Sequence, residues 1–549
     1  MGEHVHAPSA DVIRNPVLAG SHPDPSVVRV GPDFYLATST FEWYPGVRLH
    51  RSTDLVHWRT VPGALDSTRL LDLTGCPDSG GVWAPNLTHA DGLFHLVYSN
   101  VSTYTGGFTD SPNHLVTAAS IDGPWSDPVL LHARGFDASL FHDGPDSWLL
   151  NLVHDWRPGH GGSAGLELRR YDRAARRPTG APVRIALPPQ AGWIEGPNLY
   201  RRGPWYYLLT ADGGTGYDHQ VTVARSRSLV GPYERDPHGP LVTARDHPDL
   251  PLQKAGHGSL VETADGRWYL AYLVARPHGR RGPCMLGRET ALAAVGWTAD
   301  GWPRVATGLP ALEVPAPGPA DGDGNTSSPA GGPDTTETDG FDRPALGPQW
   351  STLRRPATAD WLTLAERPSH LRLRGGRSPQ SLVGPSLVAR RVTRPRVSFE
   401  AVMEYRPLAF QHLAGITAYY NTRNWHYLYL TADEGGQAVL RTAHCDRGRL
   451  HVADAGVGPE GLHDATRLRL GLDIDGAELR FRYDSGAGWR PFGGLLDATV
   501  LSDEHAEHIE DGQIRSLGFT GAFVGLWAWD LTGEGLHADF DEVTYRADG

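Results

Sequence analysis

Five segments of one pattern recur along the first half of the chain, and this repeat restricts the fold more than any other feature. Aligned on their first residue they read DPSVVRVGPDFYLAT from Asp24, WAPNLTHADGLFHLV from Trp83, DASLFHDGPDSWLLN from Asp137, EGPNLYRRGPWYYLL from Glu195 and HGSLVETADGRWYLA from His257, at intervals of 54 to 62 residues. Each carries a small residue or a proline in third place, an apolar residue in fifth, a turn signal, and an aromatic in twelfth: Tyr35, Phe94, Trp148, Tyr206 and Trp268. A strand, a tight turn and a second strand, repeated at this period, are the opening hairpin of a propeller blade whose aromatic packs between neighbouring sheets. STDLVHW, SIDGPW and SRSLVGPY, from Ser52, Ser120 and Ser226, supply turns between outer strands. Five four-stranded blades fit residues 10–312.

A chain of 549 residues exceeds what one core covers, and its 66 Gly and 44 Pro favour many short strands over long helices. Residues 313–340, beginning EVPAPGPADGDGNTSSPAGG, bury almost nothing and read as a solvated linker. Beyond it, in residues 341–549, segments such as RVSFEAVMEY, WHYLYLT, ELRFRYD and FVGLWAWD alternate with turn signals and show no convincing helix. They predict a lectin-like, concanavalin-like β-sandwich, a fold that also binds sugars. The expected class is all-β throughout.

In a propeller the first strand of each blade lines the axis, so equivalent positions at its mouth converge. Here they are Asp24, Trp83, Asp137, Glu195 and His257, three of them carboxylates. Pro23 and Pro25 flank Asp24, which predicts an extended, stiffly held carboxylate at the edge of the central pocket. Crowded acids cannot all ionise cheaply, so one keeps its proton as a general acid while another, ionised, activates water or attacks the sugar. Trp83 offers a face for a sugar ring. His257 reads equally as a hydrogen-bonded channel histidine or as a contact to substrate or metal, and an isolated Arg288 in CMLGRET as a clamp on a hydroxyl or a carboxylate.

The stretches NPVLAGSHPDPSVVRVG, TSTFEWYPGVRLHRSTDLVHW, PDSGGVWAPNL, GFDASLFHD, EGPNLY, KAGHGSLVET, LGRETAL and FTGAFVGLWAWD, in that order, resemble glycoside hydrolase family 43, in particular its two-domain β-xylosidases. The resemblance implies Asp24 as general base, Glu195 as general acid and Asp137 as the acid that orients Glu195 and raises its pKa. It also implies Phe41 and Trp83 as walls of the sugar pocket, Arg288 as a substrate-binding arginine, His257 as a channel histidine and Phe519, from the second domain, as a ring closing the pocket. Asn86 stands where many relatives carry Asp. The activity implied is inverting, exo-acting release of xylose from the non-reducing ends of β-1,4-xylo-oligosaccharides. An α-L-arabinofuranosidase or arabinan-acting hydrolase of the same family is the alternative, and a non-catalytic carbohydrate-binding protein a more distant one. No cofactor is required on this reading, although some relatives hold a water-coordinated calcium near the residue matching His257. Relatives also form dimers or tetramers.

A net charge of −13 without a long Lys/Arg block argues against nucleic acid and anionic membranes as partners. The first 18 residues have neither a basic start nor an apolar core, no apolar run approaches spanning length, and Cys76, Cys284 and Cys445 are far apart and odd in number. The expectation is a cytoplasmic protein with free thiols.

Overall fold

The computed structural model describes residues 12–105, 108–160, 162–187, 193–317, 334–453, 456–458, 462 and 466–548. The first 11 residues and most of the Pro/Gly/Ser/Thr stretch lie outside them. Among the described residues no helix is long and apolar enough to cross a membrane.

Five antiparallel sheets follow one another along the first half, each built in chain order from four strands, the fourth with one extra short strand. The first strands are Ser26–Val30, Gly81–Ala90, Ser139–Asp143, Ile194–Arg202 and Gln253–Glu262 in blades I to V. The aromatics in twelfth place pack between blades as the repeat predicts: Tyr35 meets Phe94 edge to face, and Tyr206 meets Phe141.

The repeat's register needs one refinement. The residue that turns the chain into the first strand has positive φ in every blade, but it is Asp24, Ala84, Asp137, Gly196 and His257. Blades II and IV hold one more residue in the first strand, taken up by bulges between Trp83 and Asn86 and between Glu195 and Asn198. Trp83 and Glu195 therefore sit one residue farther out than Asp24 and Asp137. The bulge also removes Pro85 and Pro197 from third place and puts Asn86 and Asn198 there. With that shift the third place has a single job around the ring, a hydrogen bond to the next blade. Ser26 Oγ accepts from Leu87 N–H at 2.9 Å, Asn86 Oδ1 accepts from Leu140 N–H at 2.9 Å, and Ser139 Oγ donates to the Pro197 carbonyl. Asn198 Nδ2 donates to the Gly258 carbonyl at 3.4 Å, and Ser259 Oγ accepts from Val27 N–H at 3.2 Å, closing the circle. Asn86 Nδ2 also donates to Asn198 Oδ1, a bond that an ionised Asp could not make.

Both ends of the predicted linker are strands. Glu313–Pro315 pairs with Val12–Arg14, joining the two ends of the propeller, and Asp334–Asp339 pairs with the last strand, His537–Asp548. DTTETD has no apolar alternation and EVP is only three residues long, so neither leaves a strand pattern in the sequence.

The second half is two eight-stranded sheets face to face around one large apolar core. A helical turn is present after all: Ser502 caps the four-residue helix Asp503–Ala506, too short to leave a periodic trace in sequence. One strand of the second sheet belongs to the propeller. Trp43–Tyr44, from the blade I loop, pairs with Thr352 and Leu353, and the Trp43 ring stacks on Phe523 at 4.1 Å. Arg354, fully buried, donates to Asp78 Oδ1 at 2.7 Å and to the Cys76 carbonyl, so the two domains share both a sheet and a buried ion pair.

Candidate active site

Asp24, Asp137 and Glu195 gather at the mouths of the first strands, near enough for their charges to act on one another. Asp24 is not extended, as the flanking prolines had predicted, but sits at φ +56°. An aspartate tolerates that region better than most residues, and tertiary contacts hold it there. Ser39 Oγ donates to Asp24 Oδ2 at 2.6 Å, while Arg288 Nη1 and His257 Nδ1 stand 3.7 and 3.8 Å from Oδ1. Ser39 Oγ in turn accepts from Ala84 N–H at 2.8 Å, so blade II braces the support. Asp137, at φ +54°, accepts from Gly196 N–H at 2.9 Å, next to Glu195 in the chain. Gly196 is needed there: its φ is +58°, and a Cβ would lie 2.9 Å from the His257 ring. Glu195 Oε2 accepts from the Trp193 indole at 2.8 Å.

The environments push the acids apart. Burial alone would raise the Asp24 carboxyl, but the Arg288 guanidinium, the neighbouring imidazole and the Ser39 bond outweigh it and hold it below the ordinary range. Burial, with the Asp24 charge, pushes Glu195 up to about 7 against the Trp193 hydrogen bond and Arg288. Asp137 is raised well above its usual value by burial and by the charges of Glu195 and Asp24. At neutral pH the pocket thus holds one firmly ionised aspartate opposite a pair of acids that retains a proton.

The walls are aromatic and come from both domains. Trp83 meets Phe136 and Phe519 edge to face at 5.6 Å each, and Phe41 lies 5.8 Å from Phe519. Arg288 sits under Phe519, its guanidinium carbon 4.5 Å from the ring centre. The sandwich loop that carries Phe519 is clamped by Ser79 of the propeller. Ser79 Oγ donates to the Leu517 carbonyl and accepts from Phe519 N–H, and its own carbonyl accepts the Trp83 indole N–H at 2.8 Å.

All eight residues singled out in the sequence therefore meet here. Ser39, Ser79, Phe136, Trp193 and His219 were missed. Ser39 follows the second strand of blade I and His219 precedes the third strand of blade IV; both ends lie on the same face as the mouths of the first strands, which is the signal that could have found them. His219 is buried with neither ring nitrogen hydrogen-bonded, and burial pushes its pKa down to about 3. Its ring occupies the space over Gly256, where a Cβ would come within 2.3 Å.

Side chains supply few oxygen ligands beside His257, where a second imidazole and an Asp24 carboxylate already facing Arg288 stand, so a calcium there would be coordinated mainly by water, as the resemblance implies. Among the described residues no three His, Cys, Asp or Glu side chains are grouped to hold a metal.

Acids split in this way between aromatic walls at a propeller axis are the equipment of glycosidic bond cleavage, and the class is glycoside hydrolase. Comparison with known proteins makes it particular. The family model described as Glycosyl hydrolases family 43 matches residues 13–303, and that of the Beta xylosidase C-terminal Concanavalin A-like domain matches residues 338–546. A crystal structure of xylan beta-1,4-xylosidase from Bacillus halodurans C-125 is similar over 97% of this chain and 99% of that chain, with 44% identity and a TM-score of 0.90. Xylosidase/arabinosidase 43B of Humicola insolens is 41% identical over 97% of both chains. A xylan 1,3-beta-xylosidase of a Vibrio species is 40% identical over 97% of this chain and 99% of its own. The chain belongs to glycosyl hydrolases family 43.

Proposed function

We propose that this protein releases single xylose units from the non-reducing ends of β-1,4-xylo-oligosaccharides in one inverting displacement. Asp24 deprotonates a water beneath the anomeric carbon, Glu195 protonates the departing glycosidic oxygen, Asp137 orients Glu195 through the Gly196 turn, and burial with the Asp24 charge keeps the Glu195 proton on near neutral pH. The observation that carries the reading is the placement of the acids: Asp24 is held by the Ser39 hydroxyl at 2.6 Å with Arg288 at 3.7 Å, whereas Glu195 accepts from the Trp193 indole and precedes the Gly196 N–H that binds Asp137, which tunes the two in opposite directions. The names of full-length relatives support the sugar. Phe41, Trp83 and Phe519 enclose the xylose ring, and Arg288 serves both substrate and Asp24.

The test is the first sugar released from a β-xyloside, followed by proton NMR before mutarotation. The α anomer is expected, and an initial β product removes the single-displacement mechanism. Glu195→Ala is expected to lose about 10²–10⁴-fold in kcat on xylobiose. It loses far less on an aryl xyloside whose leaving group hardly needs a proton, and equal losses on both contradict the acid role. Activity is expected to survive a chelator, because no step uses a metal.

A second reading, α-L-arabinofuranosidase action at the same site, is favoured by the name of the Humicola relative. Parallel kinetics on aryl β-xylopyranoside and aryl α-L-arabinofuranoside separate the two, and xylobioses of 1,4 and 1,3 linkage settle the bond cleaved.

A further inference from the structure

Behind Asp24, where the propeller meets the sandwich, four basic side chains are buried together. Arg48 opens the third strand of blade I and Arg391 ends the sandwich strand Leu387–Arg391; they are 3% and 7% exposed. Both guanidinium groups reach the same hydroxyl, Ser351 Oγ, at 2.8 Å from Arg48 Nη2 and 3.4 Å from Arg391 Nη1. His22 and His50 lie beside them with their rings 5.1 Å apart. The remaining protein contacts of the two arginines are uncharged. Arg48 donates to the carbonyls of Pro348 and Trp350, and Arg391 Nε donates to the carbonyl of Ser21.

Carbonyl oxygens satisfy donors, but they do not cancel charge. Among the described residues no carboxylate stands within ion-pair distance of either guanidinium. Glu289, which reaches this stretch through Gly20 N–H, is already gripped bidentately by Arg276 at 2.7 Å. Two buried like charges without a counter-charge cost several kcal/mol each. Burial holds the pKa of Arg48 down to about 10 and lowers that of Arg391, with repulsion from Arg48 added, and both histidines are held neutral. A donor is also left over: Arg48 Nε is buried without a hydrogen-bond partner, as is the neighbouring His50 Nε2.

We infer that Arg48 and Arg391 together bind a small monovalent anion of chloride size, which supplies the missing counter-charge and accepts from the donor the protein leaves unused. The anion bridges the propeller to the sandwich and steadies the Ser21–His22 segment that leads into Asp24. This inference is independent of the sugar cleaved.

The full-length protein, exchanged into chloride-free gluconate buffer, is titrated with chloride and with bromide at constant ionic strength while thermal unfolding is followed. The unfolding temperature is expected to rise saturably by about 2 °C or more with either halide. Crystals grown in bromide are expected to show an anomalous peak between Arg48, Arg391 and Ser351. Arg391→Met, which removes one charge at similar volume, is expected to abolish the halide response and to lose less stability in gluconate than in chloride. Should that variant not fold, the titration and the bromide crystals of the unaltered protein decide alone. Identical unfolding in halide and gluconate, or bromide density absent from this site, overturns the inference.

Discussion

At the scale of single residues, what matters most is how two acids of similar intrinsic strength are driven to opposite charge states. Arg288 is the divider: it stands 3.7 Å from Asp24, while among the described residues Glu195 has the Trp193 indole as its one side-chain hydrogen-bond partner. Activity needs Asp24 ionised and Glu195 protonated, so the acid limb of kcat/KM follows Asp24, below the ordinary carboxylate range, and the alkaline limb falls near pH 7. The Trp193 bond favours the ionised form of Glu195. Trp193→Phe, which keeps a ring but removes the donor, is therefore expected to move the alkaline limb above pH 7 and leave the acid limb in place. A limb that stays or moves down contradicts this account of the proton. Asp24, Asp137 and Glu195 were legible because a repeat placed them at strand mouths. Ser39, Trp193 and His219 were not, since they lie outside the repeated fifteen residues.

Among the elements, the first strands do two jobs, lining the pocket at one end and fastening each blade to the next. The five-membered circle of hydrogen bonds through Ser26, Asn86, Ser139, Asn198 and Ser259 is local in form but closes only when blade V meets blade I. Ser259 is the closing member. Ser259→Ala leaves Val27 N–H unpaired in a buried strand and is expected to cost about 1–3 kcal/mol of stability, the penalty for an unsatisfied buried donor. Urea unfolding measures it, and a loss of only a few tenths of a kcal/mol would mean that the circle is ornamental. A small polar third position was visible in three blades. In the other two a proline stood there, and only the bulges show that an asparagine takes its place.

The whole molecule behaves as one unit because the domain boundary is not a surface contact alone. Trp43–Tyr44 of the propeller is a strand of the sandwich, Arg354 and Asp78 are paired in the buried interface, and Lys254 of blade V pairs with Glu504 of the sandwich helix. Calorimetry is therefore expected to show a single unfolding transition instead of one per domain; two resolved transitions would show that the halves are energetically separate. The same interface explains why the sandwich belongs to the active site: Ser79 holds the loop that brings Phe519 over Arg288. Sequence pattern marked Phe519 through resemblance, whereas its partner Ser79 carried no signal.

By itself the sequence determined the number and order of blades, the β-sandwich that follows them and the column of acids, because strand, turn and period are written in fifteen residues at a time. Tertiary structure alone decided the left-handed turn at Asp24, which acid keeps its proton, the sharing of a strand between domains and the meeting of Arg48 with Arg391. Charge state, burial and closure depend on groups hundreds of residues apart, and no local pattern encodes the field that distant neighbours create.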